Sequence, residues 1–482
     1  MMLYELLEGL QYDRAPANCE IASVTTDSRQ VRPGTLFVCI QGENADGHTY
    51  AAKAAAAGAA AVVCQRDLGL GCQVLVENTR TAYSIICGNL FGNPARRLKL
   101  IGVTGTNGKT TVTTLIRHIL EDCGHKAGLI GTVHIEIGDM VIPAKYTTPD
   151  PMVLQSTFAR MVQAGCEYAV MEASSHGLDQ RRMEGCRFAA AVFTNLTQDH
   201  LDYHHTMENY YQAKRRLFDL CDRAVLNLDD AAGRRILGEV SCPCTTFSVR
   251  DDTADYTARN IVPSQLGSNF AIVGSGVIAR VRLGMPGDFS VSNAMAAAAC
   301  CVGLGLTLEQ VAESLSRCPG VPGRAEVIHR DSVGMIIRDY AHTPDGLEKI
   351  LAALRPFAKG RIVTLFGCPG NRDATKRPKM AHAVAAGSDF IILSSDNPRR
   401  EDPDAIIADA LPGFEGMNTP YKVIPNRYEA ILWALDHRQQ DDILLLAGKG
   451  HEDYQVLKDE TIYFDEKVIV ESVLGKKSAR AK

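Results

Sequence analysis

Short apolar runs recur along the chain, most followed by a polar or glycine-rich cluster and then a stretch with helical spacing. Leu98, Leu100, Ile101 and Val103 form one such run; after the turn at 105–108, Leu115, Ile116, Ile119 and Leu120 recur at 3- and 4-residue intervals. The first pattern predicts a buried strand and the second a helix packed on it. The same reading gives strands at Thr35-Ile40, Ala60-Cys64 and Val74-Val76, with the alanine-rich Tyr50-Gly58 a helix closed by its glycine. Further strands fall at Tyr168-Met171 and Ala190-Phe193, then at Gly334-Arg338, Arg361-Phe366, Asp389-Leu393 and Ile443-Ala447. Two breaks interrupt the rhythm. Gly92-Asn93-Pro94 reads as a linker and Cys318-Pro319-Gly320-Val321-Pro322-Gly323 as a stiff hinge. The pattern predicts an α/β protein of three domains, at 1–95, 96–322 and 323–482.

Composition narrows this picture without changing it. A chain of 482 residues exceeds one core, and a prior of about 150 residues per domain also suggests three. A net charge of −5 gives no basic footprint and argues against nucleic acid as the main partner. The 15 cysteines are scattered, with no C-x-x-C pair, which fits reduced thiols in the cytoplasm. No stretch reaches ~18 consecutive apolar residues and Met1 to Leu10 lacks a signal-like pattern, so neither export nor a membrane is expected.

The candidate chemistry lies where strands end. Gly105-Thr106-Asn107-Gly108-Lys109-Thr110-Thr111 joins a strand to a helix, the setting of a phosphate-binding loop. Backbone N–H groups there can cradle polyphosphate, Lys109 neutralises it, and Thr110 or Thr111 offers a hydroxyl to Mg²⁺. One position departs from the strict pattern: Val103 stands where a glycine is usual. Glu172 follows a second strand and suits Mg²⁺, or else caps the next segment; His200 follows a third and either ligates or orients. Lys214, in a polar helical run, reads as a surface cation. Thr147-Thr148-Pro149 reads as a turn before a proline-initiated helix, and Thr26 to Arg29 and Gly42 to His48 as polar loops.

Taken together with Glu172-Ala173-Ser174-Ser175-His176-Gly177, Thr194 to Asp202, Asp339-Tyr340-Ala341-His342 and Gly448-Lys449-Gly450-His451-Glu452, these motifs resemble the Mur ligase family over essentially the whole chain. The variant loop with Val103 is part of that likeness. The resemblance implies a central P-loop ATPase-like domain, a Rossmann-like C-terminal domain and an N-terminal domain that binds a UDP-sugar. It implies ATP-dependent amide formation in peptidoglycan precursor synthesis, through an acyl phosphate made on the dipeptide carboxylate. Within the family it is similar to the enzymes that extend UDP-N-acetylmuramoyl-L-alanyl-D-glutamate (UDP-MurNAc-L-Ala-D-Glu) by a third residue. Lys109 and two Mg²⁺ ions would serve the phosphates, with Thr110, Glu172, His200 and Lys214 around the metals. Lys214 matches a lysine that CO₂ converts to a carbamate in this family. Asn293, Arg324 and Asp339 match nucleotide contacts; Ser28, Thr147, Thr148, Ser174, Gln180, Arg182 and Lys214 match contacts of the UDP-sugar dipeptide. A monomer is expected.

The amino acid added is read from Asp396-Asn397-Pro398-Arg399, which resembles enzymes that add meso-diaminopimelate. Diaminopimelate carries a second carboxylate that a guanidinium can bind bidentately, and lysine does not. Arg372, Gly448 and Glu452 match the rest of that site. Pro369 and Asn371 replace the Gly and Asp expected beside Arg372, and Arg400 is extra, reading as a solvated cation. The alternatives are L-lysine or another diamine, a folylpolyglutamate synthetase, which the Asp-Asn-Pro-Arg segment opposes, and a silent nucleotide-binding scaffold.

Overall fold

A computed structural model describes residues 1–42, 45–264 and 267–480; Glu43 and Asn44 of the polar loop at Gly42 to His48 lie outside the described residues. Three large α/β sheets follow one another along the chain, with a small antiparallel pair, Tyr454–Val456 and Thr461–Tyr463, after the third. The first has four parallel strands in sequence order, Ser23–Thr25, Thr35–Val38, Ala61–Cys64 and Gln73–Leu75. Its helix Thr79–Leu90 leads to the second sheet, and Ser84 Oγ donates to the Arg181 carbonyl at 2.6 Å across that junction.

The second sheet has eleven strands. At its centre Phe188–Phe193, Lys99–Thr104 and Tyr168–Glu172 lie side by side and parallel, with Thr104 opposite Phe193 and Val103 opposite Glu172. Parallel neighbours end on the same edge, so the phosphate loop, Glu172 and Thr194 are brought together by register alone. Val103 is fully buried in the core between this sheet and the helices Lys109–Asp122 and Asp288–Gly303. Its side chain points into that core rather than toward the loop, so a glycine is not required there.

Antiparallel strands extend the sheet at both edges. His134–Ile137 and Met140–Pro143 form one hairpin, and Tyr256–Ser264, Gly267–Gly274 and Val277–Leu283 a meander. The strand-helix rhythm alone did not predict these. The proline-initiated helix after the Thr147-Thr148-Pro149 turn begins at Pro151, where Asp150 supplies the cap by accepting from Met152 N and Val153 N.

The third sheet runs Glu326–Arg330, Gly334–Asp339, Asp442–Ala447, Ile362–Phe366, Phe390–Leu393 and Tyr421–Val423, parallel except for the first strand. Its clusters at 339–342, 367–377, 394–401 and 448–452 again follow strands and so share one edge. Among the described residues no helix is long and apolar enough to cross a membrane.

Candidate active site

The polar edges of the second and third sheets face each other across a cleft of ≈ 1040 Å³. Thr106 to Thr111, Glu172, His200 and Lys214 line one wall; Arg324, Asp339, Arg372, Asp396, Asn397, Arg399 and Glu452 line the other. Asn293, Thr147, Thr148, Ser174, Arg182 and Gly448 also reach it. Gly105 at the start of the loop, Gln180 and Pro398 are not on the lining. Ser28 is half-buried on the first sheet's domain, in a turn capped by Asp27, and stands apart from this cleft.

The loop's two glycines are required by their surroundings. Gly105 has φ +146° and a Cβ there would overlap Thr194 Oγ1; Gly108 has φ +89° and a Cβ would overlap Asn293 Oδ1. Asn195 holds the loop by accepting Thr106 N at its carbonyl (2.8 Å) and Asn107 N at its side chain (3.0 Å). Lys109 Nζ donates to the carbonyls of Gly105 and Thr106 at 3.0 and 2.9 Å. Burial pushes its pKa down, opposed by Glu172 and Asp199.

Glu172 is 1% exposed and does not cap the following helix; Ser174 does that by accepting from Gly177 N. The Glu172 carboxylate instead accepts from Thr110 Oγ1 at 3.0 Å, Thr132 N at 2.8 Å and Thr132 Oγ1 at 3.0 Å. Thr132 also meets Thr147 Oγ1 at 3.0 Å, tying the carboxylate to the segment matched to the dipeptide. Sequence reasoning missed Thr132, which sits between two strands with no motif around it. Thr148 Oγ1 donates to the Glu172 carbonyl and accepts from Ser174 N, and Arg182 bonds the Thr148 carbonyl and Gln180 Oε1.

Lys214 is 1% exposed, which corrects its reading as a surface cation. On the helix Met207–Arg215 it shares the buried face with Tyr210, whose ring centre lies 4.3 Å from Nζ, and its donor partner is the Gly105 carbonyl at 2.7 Å. Burial, then Lys109, push its pKa far down against the pull of Asp199, favouring a neutral amine. His200 has φ +53° and is pushed down to about 3 by burial, Asp199 opposing, so its imidazole is neutral with a lone pair available.

The residues present fit a divalent cation of the Mg²⁺ type. Thr110 Oγ1 and a Glu172 oxygen lie 3.0 Å apart on the cleft wall. Among the described residues no group of three or more His, Cys, Asp or Glu gathers around one point.

On the opposite wall Arg324 Nη2 donates to Thr110 Oγ1 at 3.0 Å, with its guanidinium over the Tyr340 ring at 4.3 Å. Asp339 anchors that turn by accepting from Ala325 N and Ala341 N at 2.6 and 2.7 Å; burial raises its pKa, against Arg324. Asn397 bonds Glu452 at 2.9 Å, and buried Lys449 reaches both. Gly448 has φ +109° and packs against Asp396.

Arg399 has φ +56°, and its Nε is buried without a hydrogen-bond partner. The substituted Asn371 has φ +51°, a conformation asparagine tolerates, and its Oδ1 accepts from Arg400 N at 3.0 Å. It therefore ties the Arg372 loop to the Arg399 loop. Arg400 itself is exposed. His176, unassigned in the sequence, packs at a tilt against Tyr203 at 4.2 Å and meets His200 edge-on at 4.9 Å.

Comparison with known proteins agrees with this geometry. Residues 103–301 match the Mur ligase middle domain, 323–450 the Mur ligase, glutamate ligase domain, and 20–84 the Mur ligase family, catalytic domain. The chain is 42% identical to a UDP-N-acetylmuramoyl-L-alanyl-D-glutamate--2,6-diaminopimelate ligase of Clostridium botulinum, over 98% of this chain and 99% of that one. It is 43% identical to a protein of the same name from Bacillus cereus, over 95% of each. A solved structure of a ligase of that name superposes with TM-score 0.69 at 34% identity, covering 95% of both chains. The chain belongs to the Mur ligase family. At 18% identity and TM-score 0.60, the MurF ligase from Thermotoga maritima in complex with ADP, covering 88% of this chain and 93% of that one, shares the fold.

Proposed function

We propose that the chain is an ATP-dependent ligase that joins meso-diaminopimelate to UDP-MurNAc-L-Ala-D-Glu in peptidoglycan precursor synthesis. The observation that carries the amino-acid assignment is Arg399, whose buried Nε lacks an acceptor in the same cleft as the phosphate loop. An unpaired buried donor costs about 1–3 kcal/mol, and a carboxylate ligand offsets that cost. The names of the relatives above support the same choice.

In this reading ATP lies on the 105–111 loop, with Lys109 and Arg324 against its phosphates and Asn293 behind Gly108. Thr110 and Glu172 hold Mg²⁺, which supplies charge neutralisation for phosphoryl transfer. Thr147, Thr148, Ser174, Gln180 and Arg182 hold the dipeptide end of the nucleotide sugar, and Ser28 its uridine end. The free dipeptide carboxylate takes the terminal phosphoryl group and becomes an acyl phosphate. Arg399 and Arg372 orient diaminopimelate, with Asp396, Asn397 and Glu452 facing its ammonium groups. Its free amine then attacks the acyl carbon, phosphate leaves, and an amide remains.

Lys214 is read as the site of a carbamate, supported by the burial that favours its neutral amine, the form that attacks CO₂; the carbamate and His200 would complete the metal surroundings. We also assign the domains to 1–95, 96–322 and 323–482, and the protein to the cytoplasm as a monomer. The test follows ¹⁸O from the labelled dipeptide carboxylate. Its transfer into released phosphate, dependent on diaminopimelate and matched by tripeptide product, is expected; product without transfer would overturn the acyl-phosphate route.

A further inference from the structure

A buried ion pair crosses the cleft beside His200. Lys376 Nζ lies 2.7 Å from Asp199 Oδ1, and the two residues are 7% and 5% exposed. Lys376 belongs to the third domain and Asp199 to the second. Asp199 also fixes its neighbour: Oδ1 accepts from His200 N at 2.9 Å, and Oδ2 lies 3.4 Å from His200 Nε2.

Lys376 ends a short turn that starts just after Arg372, with Asp373 capping it by accepting from Thr375 N at 3.0 Å. The next residue, Arg377, pairs with Glu401 and Asp409 at 2.8 and 2.7 Å, and Asn371 bonds Arg400 N. The segment 371–377 is thus fastened to the Arg399 loop on one side and to His200 on the other. Lys379 Nζ adds an exposed contact to Gln198 Oε1 at 3.1 Å. Charge pairs desolvated at an interface fix its register, and losing one partner leaves the other uncompensated.

We propose that Lys376 is a positioning residue. Its ion pair with Asp199 holds the amino-acid loops closed over His200, so that the acyl phosphate forms only where the amine is already seated and water is excluded. The effect on ligation rests on the ligase reading; the effect on closure does not.

The test therefore reads both. Scattering from full-length protein saturated with a non-hydrolysable ATP analogue and Mg²⁺ reports closure, and phosphate released per tripeptide formed reports shielding. Lys376→Met is expected to enlarge the radius of gyration, to lower kcat about tenfold or more while KM for ATP stays within about twofold, and to raise the phosphate-to-product ratio several-fold. Lys376→Arg is expected to restore most of each. The double variant Lys376→Met/Asp199→Asn, which leaves no uncompensated charge, is expected to match the single variant rather than add to it.

Unchanged closure and an unchanged phosphate-to-product ratio in Lys376→Met, or additive losses in the double variant, would overturn the proposal. If the unaltered protein forms no amide from any amine, the ligase reading fails, and the scattering comparison still decides whether the pair holds the cleft closed.

Discussion

Replacing Arg399 with alanine isolates what the second carboxylate of diaminopimelate contributes to amine choice. The side chain sits on a loop held by Arg399 N donating to the Val456 carbonyl at 3.1 Å and by Asn371 bonding Arg400 N, so the backbone survives the truncation. The buried Nε has no protein acceptor, so no internal hydrogen bond at that atom is lost. On the role proposed for Arg399, what disappears is a guanidinium-carboxylate fork made only with substrate. Truncating one partner of such a desolvated pair costs about 2–5 kcal/mol. At about 3 kcal/mol, kcat/KM for diaminopimelate falls by about two orders of magnitude. L-Lysine has no second carboxylate, so its low kcat/KM changes by less than about threefold. Steady-state ligation with each amine, followed by product mass, measures the ratio, and thermal unfolding checks that the midpoint moves by less than about 2 °C. An equal fall for both amines, or a fall below about threefold for diaminopimelate, would refute the reasoning.

Other outcomes follow from the same geometry. Gly105→Ala sets a Cβ against Thr194 Oγ1 at φ +146°, and titration with an ATP analogue is expected to show affinity at least about tenfold weaker. Lys214→Met abolishes ligation yet raises the melting temperature of bicarbonate-free protein near neutral pH. The sign follows from its depressed pKa: the unfolded chain binds a proton there that the folded site resists, a penalty that fades only as pH rises toward the ordinary lysine value of about 10.4. His204, bonded to Ser175 Oγ at 2.9 Å, is pushed down to about 4 by burial. Its contribution is therefore lost as pH falls from about 6.5 toward about 4, and His204→Gln should show a smaller drop in melting temperature between about pH 7 and 5.

The parts of the site legible in the sequence are those whose chemistry is local. The phosphate loop announces itself because strand, glycines, Lys109 and helix are contiguous, and the clusters after strands align because parallel strands end on one edge. Lys214 was misread although the signal was present: Tyr210, Ala213 and Lys214 stand at i, i+3 and i+4 and share one helical face, and the aromatic member marks it as buried. Charge was read before periodicity. The meander was likewise readable in part, since Ile278 to Leu283 alternate exposed and buried along Val277–Leu283. Thr132, the contacts of His176 and the pairing of Lys376 with Asp199 were not legible, because their partners lie roughly 25 to 180 residues away and nothing local requires them. The substituted Asn371 shows the limit of motif comparison. It departs from expectation, yet its left-handed conformation and its bond to Arg400 N give the loop a tie of its own.

The central claim concerns which amine this cleft accepts, and a competition measures it most directly. Full-length protein is incubated with ATP, Mg²⁺ and UDP-MurNAc-L-Ala-D-Glu in the presence of equal concentrations of meso-diaminopimelate and L-lysine, and the products are separated by mass. The account predicts almost only the diaminopimelate tripeptide, with one phosphate released for each amide formed. Predominant lysine product would contradict the role given to Arg399 while leaving the ligase intact, and absence of both products with ATP still bound would contradict the ligase itself.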